Sequence, residues 1–226
     1  MLALFSYFME EEDMWTLMLM AAVQSPSWTL AEECLMADEA AAWGWRVGGR
    51  FNIATSFGEP ANDIIGGSVY GSHRISHPWW ITVEAYHGAF DFENPGDAVL
   101  GTSGTPTADA KISLTTLMAA GEWHPLEPGG RWDVYVGAGL GLGFTSGGET
   151  PEKTGIDIEI DSGFGFVAQV RGGVAFRMFS RVYLTLDAYF GYAFIPLEVR
   201  DRVSGDRGTD RSWDILGGSV GFEVRF

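Results

Sequence analysis

The chain has 226 residues, 31 of them glycine, with 14% aromatics and only 19% charged residues. Its net charge of −16 offers no basic footprint for nucleic acid, and the lone Cys34 without any Cys/His spacing excludes an internal disulfide and points to neither metal nor cofactor. No apolar run reaches the roughly 20 residues of a membrane helix, so low charge with abundant glycine and aromatics leaves the transmembrane β-barrel as the membrane class.

Residues 1–38 read as a leader distinct from the rest of the chain. Two short apolar runs are split by the acidic stretch Glu10 to Asp13, and from Met14 an apolar segment of signal-peptide length precedes the small Ala31. No Lys or Arg occurs before Arg46, so the basic start of a signal peptide is missing. The alternative is a helix that stays attached.

From Trp43 the pattern changes to period two, and residues 43–226 are expected to form one barrel domain. Eight strands are predicted, at 43–56, 64–76, 79–92, 109–124, 132–146, 156–177, 181–194 and 212–226. Each exceeds the roughly 9–11 tilted residues that cross a hydrocarbon layer. The connections alternate in length. His77-Pro78, a Pro/Gly-bearing segment before Trp132, and Met178-Phe179-Ser180 are short, whereas the other four are longer, polar and rich in Gly, Pro and Asp. Short turns at one end and long loops at the other are the pattern of an antiparallel up-and-down transmembrane barrel with periplasmic turns and extracellular loops.

Within the strands, one face is large and apolar: Val134, Val136, Leu140, Leu142 and Phe144 in the fifth, Leu184, Leu186, Phe190 and Phe194 in the seventh. The opposite face collects glycine and charge. Arg46, Arg50, Glu84, Lys111, Asp133, Arg171, Asp187, Glu223 and Arg225 are read as a lumen ion network of five positive and four negative groups. An eight-stranded lumen admits little more than side chains, so paired ions and glycine suit the inside, and rows of Phe and Leu suit lipid. A soluble lipocalin-like binder would have the faces reversed. Trp43, Trp45, Trp79, Trp80, Trp123 and Trp132 all fall at short-turn strand ends, where an aromatic girdle is expected, and Trp213 alone lies at the loop end.

Eight strands, the turn–loop alternation, the girdle and the closing stretch from Ser219 to Phe226 together resemble the OmpA/OmpX/OmpW-like superfamily of small outer-membrane barrels. The terminal stretch is similar to the signal read by the barrel-assembly machinery, filled here by Ser219, Gly221, Val224 and Phe226. The resemblance implies a bacterial outer-membrane location, a monomer, and as partners that machinery together with outer-membrane lipid and lipopolysaccharide. It implies activity only weakly.

Few residues within such a barrel carry chemistry. Lipid A deacylases of similar build use a His-x-Ser arrangement, and the nearest stretch here holds Ser72, His73, Ser76 and His77. His73 and Ser76 face opposite sides of a regular strand, as do Glu84 and His87, so no nucleophile–base pair arises locally. Asp157, Glu159 and Asp161 share one face with Glu149 and Glu152 nearby, and read as solvated charges rather than a cation site. The stretch with Arg200, Arg202, Arg207 and Arg211 among Asp201, Asp206 and Asp210 reads as a mixed-charge loop. An apolar entry channel would need an apolar upper lumen, for which Tyr135, Tyr183 and Tyr189 are the only hint. The expected role is therefore structural or narrow passive transport without catalysis, with a lipid A-modifying enzyme and a soluble binder as the competing classes.

Overall fold

The computed structural model describes residues 44–56, 63–92, 110–126, 130–149, 158–203, 205–210 and 212–226. The leader reading and Trp43 fall outside them, as do Glu152, Asp157 and Arg211. Twelve strands and no helix are present among the described residues. Eight are long: β1 (Trp45–Ser56), β2 (Ile64–Ser76), β3 (Trp79–Phe92), β4 (Ala110–Trp123), β5 (Trp132–Thr145), β8 (Gly163–Arg177), β9 (Val182–Phe194) and β12 (Trp213–Arg225). Four are short: β6 (Gly148–Glu149), β7 (Ile158–Ile160), β10 (Leu197–Asp201) and β11 (Arg207–Asp210).

The long strands close into one antiparallel barrel in the order β1-β12-β9-β8-β5-β4-β3-β2, each beside its sequence neighbours among the long strands. Closure matters because an open edge in lipid would leave a row of backbone groups unpaired, at several kcal/mol each. The seam runs from Arg46 opposite Arg225 to Ser56 opposite Ile215 without a register shift. Phe226 continues it, since its N–H donates to the Trp45 carbonyl at 2.9 Å and its carbonyl accepts from Trp45 N–H at 2.9 Å.

Period two then sorts the side chains. Leu140 is 72% exposed, Phe166 66% and Phe222 58%, while Tyr135, Tyr183 and Glu223 are buried. The apolar rows therefore point outward and the polar rows inward, the reverse of a lipocalin-like barrel.

The structure corrects two expectations. The predicted sixth strand, 156–177, is two elements, because the ladder breaks at Asp161-Ser162 between β7 and β8. The mixed-charge loop is partly ordered as β10 and β11, which join β7 and β6 in a second sheet of order β11-β10-β7-β6 at the long-loop end. The reason is a buried apolar row: Ile158, Ile160, Leu197 and Val199 are all at most 2% exposed. Each such side chain contributes about 1.5–3 kcal/mol on burial, enough to fix strands that alternate with charges. They continue into one cluster with Ile64, Phe90, Ile112, Leu114, Met118, Ile195, Trp213 and Ile215, which fills the long-loop half of the interior.

Candidate functional site: the barrel lumen

The other half of the lumen, toward the short turns, is ionic. Arg46 and Arg50 enter from β1, Arg171 from β8 and Arg225 from β12. Carboxylates meet them from around the wall: Glu84 on β3, Glu122 on β4, Asp133 on β5, Asp187 on β9 and Glu223 on β12. Arg46 pairs with Glu122 and lies 3.6 Å from Glu223. Arg50 bridges Asp187 at 3.0 Å and Glu84 at 3.3 Å, and Arg171 reaches across from β8 to the same Glu84. Arg225 pairs with Asp133 at 2.8 Å and with its own-strand Glu223. His124, just past β4, sits 2.9 Å from Asp133 and 3.3 Å from Glu122.

Aromatic faces and hydroxyls fill the gaps between these ions. The Arg50 guanidinium lies 3.8 Å over the Tyr70 ring, and that of Arg225 lies 4.0 Å over Tyr183. His124 stacks on Tyr135 with ring centroids 5.1 Å apart. Tyr70 donates to Glu223 at 2.7 Å, Ser219 donates to Asp187 at 2.9 Å, and Tyr135 also donates to Asp187. Glycine makes the room: a side chain at Gly48 would collide with the Tyr70 ring and one at Gly173 with Tyr135 and Asp187.

Eight of the nine residues predicted for the network point into this lumen. Lys111 does not. It is exposed on the outer face of β4 opposite Asp91, while its neighbours Ala110 and Ile112 are buried. Glu122 and His124, buried to 0% and 3% exposure, belong to the network although the sequence reading omits them. A sequence signal exists, because Trp123 and Lys111 share the parity of one face, so an outward Trp123 puts Lys111 outside and Glu122 and His124 inside. The lumen thus holds four arginines against five carboxylates, not five cations against four.

The tryptophans divide in the same way. Trp45, Trp79, Trp123 and Trp132 are 40–55% exposed at the short-turn end. Trp80 is 6% exposed and faces inward, with the Arg46 guanidinium 5.0 Å over its ring. Adjacent Trp79 and Trp80 cannot share a face of one strand, which corrects the girdle by one residue.

The upper lumen is apolar, and the tyrosines are not what makes it so. Tyr135 and Tyr183 lie in the ionic half, and Tyr189 alone of the three packs against the apolar cluster. Between the halves lies a cavity of about 50 Å³, with Asn52, Glu84, Tyr86 and Gln169 on its polar side and Leu114, Met118 and Ile215 on its apolar side. That is room for a few waters and nothing larger.

Outside the barrel, Glu159 accepts a hydrogen bond from Arg202 at 3.1 Å, and this contact holds its carboxyl below the usual range. Ile158 and Ile160 point away from it into the core, so the acidic stretch serves to seat β7 rather than to gather carboxylates. Among the described residues no serine hydroxyl is hydrogen-bonded to a histidine. His73 Nδ1 lies 3.0 Å from the Gly44 carbonyl and His87 Nδ1 lies 2.9 Å from Thr115 Oγ1.

No protein-family profile and no curated protein matches the chain. Solved structures do. The chain superimposes on the outer membrane protein OprG from Pseudomonas aeruginosa with a TM-score of 0.57 at 11% identity, covering 81% of this chain and 96% of that one. A major outer membrane protein from Thermus thermophilus gives 0.57 at 15% identity, covering 82% of this chain and 100% of that one. At these identities the likeness is one of fold.

Proposed function

We propose that this chain, which has the fold of the small bacterial outer-membrane barrels and resides in that membrane, acts there as a closed, non-catalytic structural barrel. One observation carries the reading: the lumen is occupied along its length, by cross-wall ion pairs in one half and by an apolar cluster in the other. Moving an ion past Arg50, Arg171 and Glu84 means separating charges that leave little water to replace each partner, a cost of several kcal/mol per ion.

The short-turn end is read as periplasmic and the second sheet as extracellular. Ser219, Gly221, Val224 and Phe226 are proposed as the address read by the assembly machinery. Two features support it: Val224 and Phe226 lie exposed on the closing seam, and Gly221 sits where any side chain would strike the Gly49 carbonyl and Arg50. The barrel is read as working as a monomer, and its closure leaves no edge among the eight long strands for a second copy to pair with.

The apolar upper lumen favours a second reading, in which small apolar molecules enter from the loop end if the second sheet moves aside. Planar-bilayer recording separates conducting from closed behaviour. Protein refolded from the full chain is expected to give no conductance above the protein-free membrane. Sustained unitary steps would overturn the closed-barrel reading.

A further inference from the structure

One histidine is buried. His73, His77 and His87 are exposed, whereas His124 is 3% exposed, one residue past β4 at the short-turn mouth of the lumen. Its backbone N–H donates to the Pro78 carbonyl at 2.8 Å, which ties it to the turn between β2 and β3. The ring lies against two aromatic faces, Tyr135 of β5 at 5.1 Å and Trp80 of β3 at 5.6 Å.

Charged groups surround this ring. Asp133 of β5 meets Nδ1 with its two oxygens at 2.9 and 3.0 Å, and Glu122 of β4 lies 3.3 Å from Nε2. Both carboxylates are already held by arginine, Glu122 by Arg46 of β1 and Asp133 by Arg225 of β12 at 2.8 Å. Glu223 of β12 stands against the same two arginines. Arg74 of β2 approaches the Trp80 ring at 5.9 Å, and Tyr183 of β9 lies 4.0 Å from the Arg225 guanidinium. The two contacts of the ring are unequal. Nδ1 is at ordinary hydrogen-bond distance from Asp133, whereas 3.3 Å is beyond the roughly 2.7–3.2 Å of a nitrogen–oxygen hydrogen bond. Nδ1 therefore carries the single proton and Nε2 turns a bare lone pair toward Glu122. Burial, together with the positive charge of Arg46 and Arg225, holds the imidazole below the usual histidine range against the pull of Asp133.

We propose that His124 is a proton-operated latch on the short-turn mouth: neutral, it closes the mouth, and a proton taken at Nε2 drives the ring out from beside Tyr135 and Trp80. The proton comes from bulk solvent, forms the Nε2–H bond, and leaves the same way when the pH rises. It would make a third cation beside Arg46 and Arg225, shielded from water, where both carboxylates within reach are already paired. The backbone stays pinned to Pro78, so the ring moves by side-chain rotation and the wall stays in place. The unfolded chain takes up this proton near about pH 6.5 and the folded barrel only below that, so stability is full above about pH 7 and falls as the pH drops. The latch presupposes the closed-barrel reading above and adds the condition that undoes its lower end.

Urea unfolding of the full chain in detergent, at about pH 7.5 and about pH 5.5, tests it. The folded-to-unfolded ratio of the wild type is expected to fall by up to about tenfold between the two. His124→Asn, which keeps the donation to Asp133 and cannot take the proton, should change by less than about twofold. In a protein whose sole tryptophan is Trp80, acrylamide should quench more strongly at the lower pH, and equally at both once His124→Asn is added. Nitrogen-15 NMR of the wild type, which needs no variant, should show His124 with one ring proton, on Nδ1, at the higher pH. An equal fall in wild type and folded His124→Asn overturns the latch, as does an imidazolium at the higher pH or a fall without added quenching of Trp80. Conductance steps at the higher pH would instead overturn the closed-barrel reading.

Discussion

Arg46→Met is expected to destabilise the barrel by about 3–5 kcal/mol, because it leaves Glu122 buried and ionised with no arginine against it. Arg46 is fully buried, so water cannot take over its role. The companion Glu122→Leu alone should cost less, since it leaves the guanidinium the Glu223 carboxylate at 3.6 Å. Combining the two should return most of the loss, since an apolar pair of similar volume replaces an ion pair whose attraction only offsets its desolvation. Arg46→Met also removes the 3.6 Å contact with Glu223, but Glu223 keeps Arg225 and Tyr70, so the coupling measured between the two positions reports the Arg46–Glu122 pair. Urea unfolding in detergent, followed by the gel-mobility difference between folded and unfolded barrel, measures all four corners of this cycle. Additive losses in the double variant would mean that the two side chains do not act as a pair.

Trp213→Ala is expected to cost about 3–5 kcal/mol by a different route. The indole is 1% exposed, packs edge-on against Phe90 at 5.2 Å, and lies in the cluster that joins the barrel to the second sheet. Its Nε1 makes no hydrogen bond in the structure, so the loss is one of packing rather than of polar pairing. Trp213→Phe should therefore cost less than about 1.5 kcal/mol. The alanine variant should also open the loop-end half to small apolar dyes, read by their fluorescence on binding. A cost as large for phenylalanine as for alanine would contradict a purely packing role.

Much of this molecule is legible in its sequence where one rule acts alone. In the middle of each long strand, polar-in and apolar-out alternation is enforced by lipid on one side and a narrow lumen on the other, and it sets the barrel, its seam and most of its ion network. The reading fails where a second rule intrudes. At the short-turn end, counting tryptophans by position ignores strand parity, which places Trp80 inside; at the loop end of β4 the same parity places Lys111 outside. At the loop end the interior becomes apolar as well, and the alternation fades into paired apolar residues such as Ile64-Ile65 and Ile215-Leu216. One of each pair is buried and the other exposed, so these pairs mark where the polar lumen stops. The second sheet escapes notice because β7 and β10 are too short to cross a membrane, although Ile158, Ile160, Leu197 and Val199 alternate with charge as strands do. Glu122 and His124 are hidden by neither rule, since the outward Trp123 between them already fixes their direction.

In a membrane-spanning barrel of this build the apolar rows face lipid and the polar rows fill the lumen. Single-tryptophan variants in bilayers of brominated lipid test that arrangement most directly, because bromine quenches only indoles in contact with acyl chains. Proteins keeping Trp45, Trp79, Trp123 or Trp132 alone should be quenched, and those keeping Trp80 or Trp213 alone should stay bright. Strong quenching of Trp80 or Trp213, with the other four unaffected, would turn the barrel inside out.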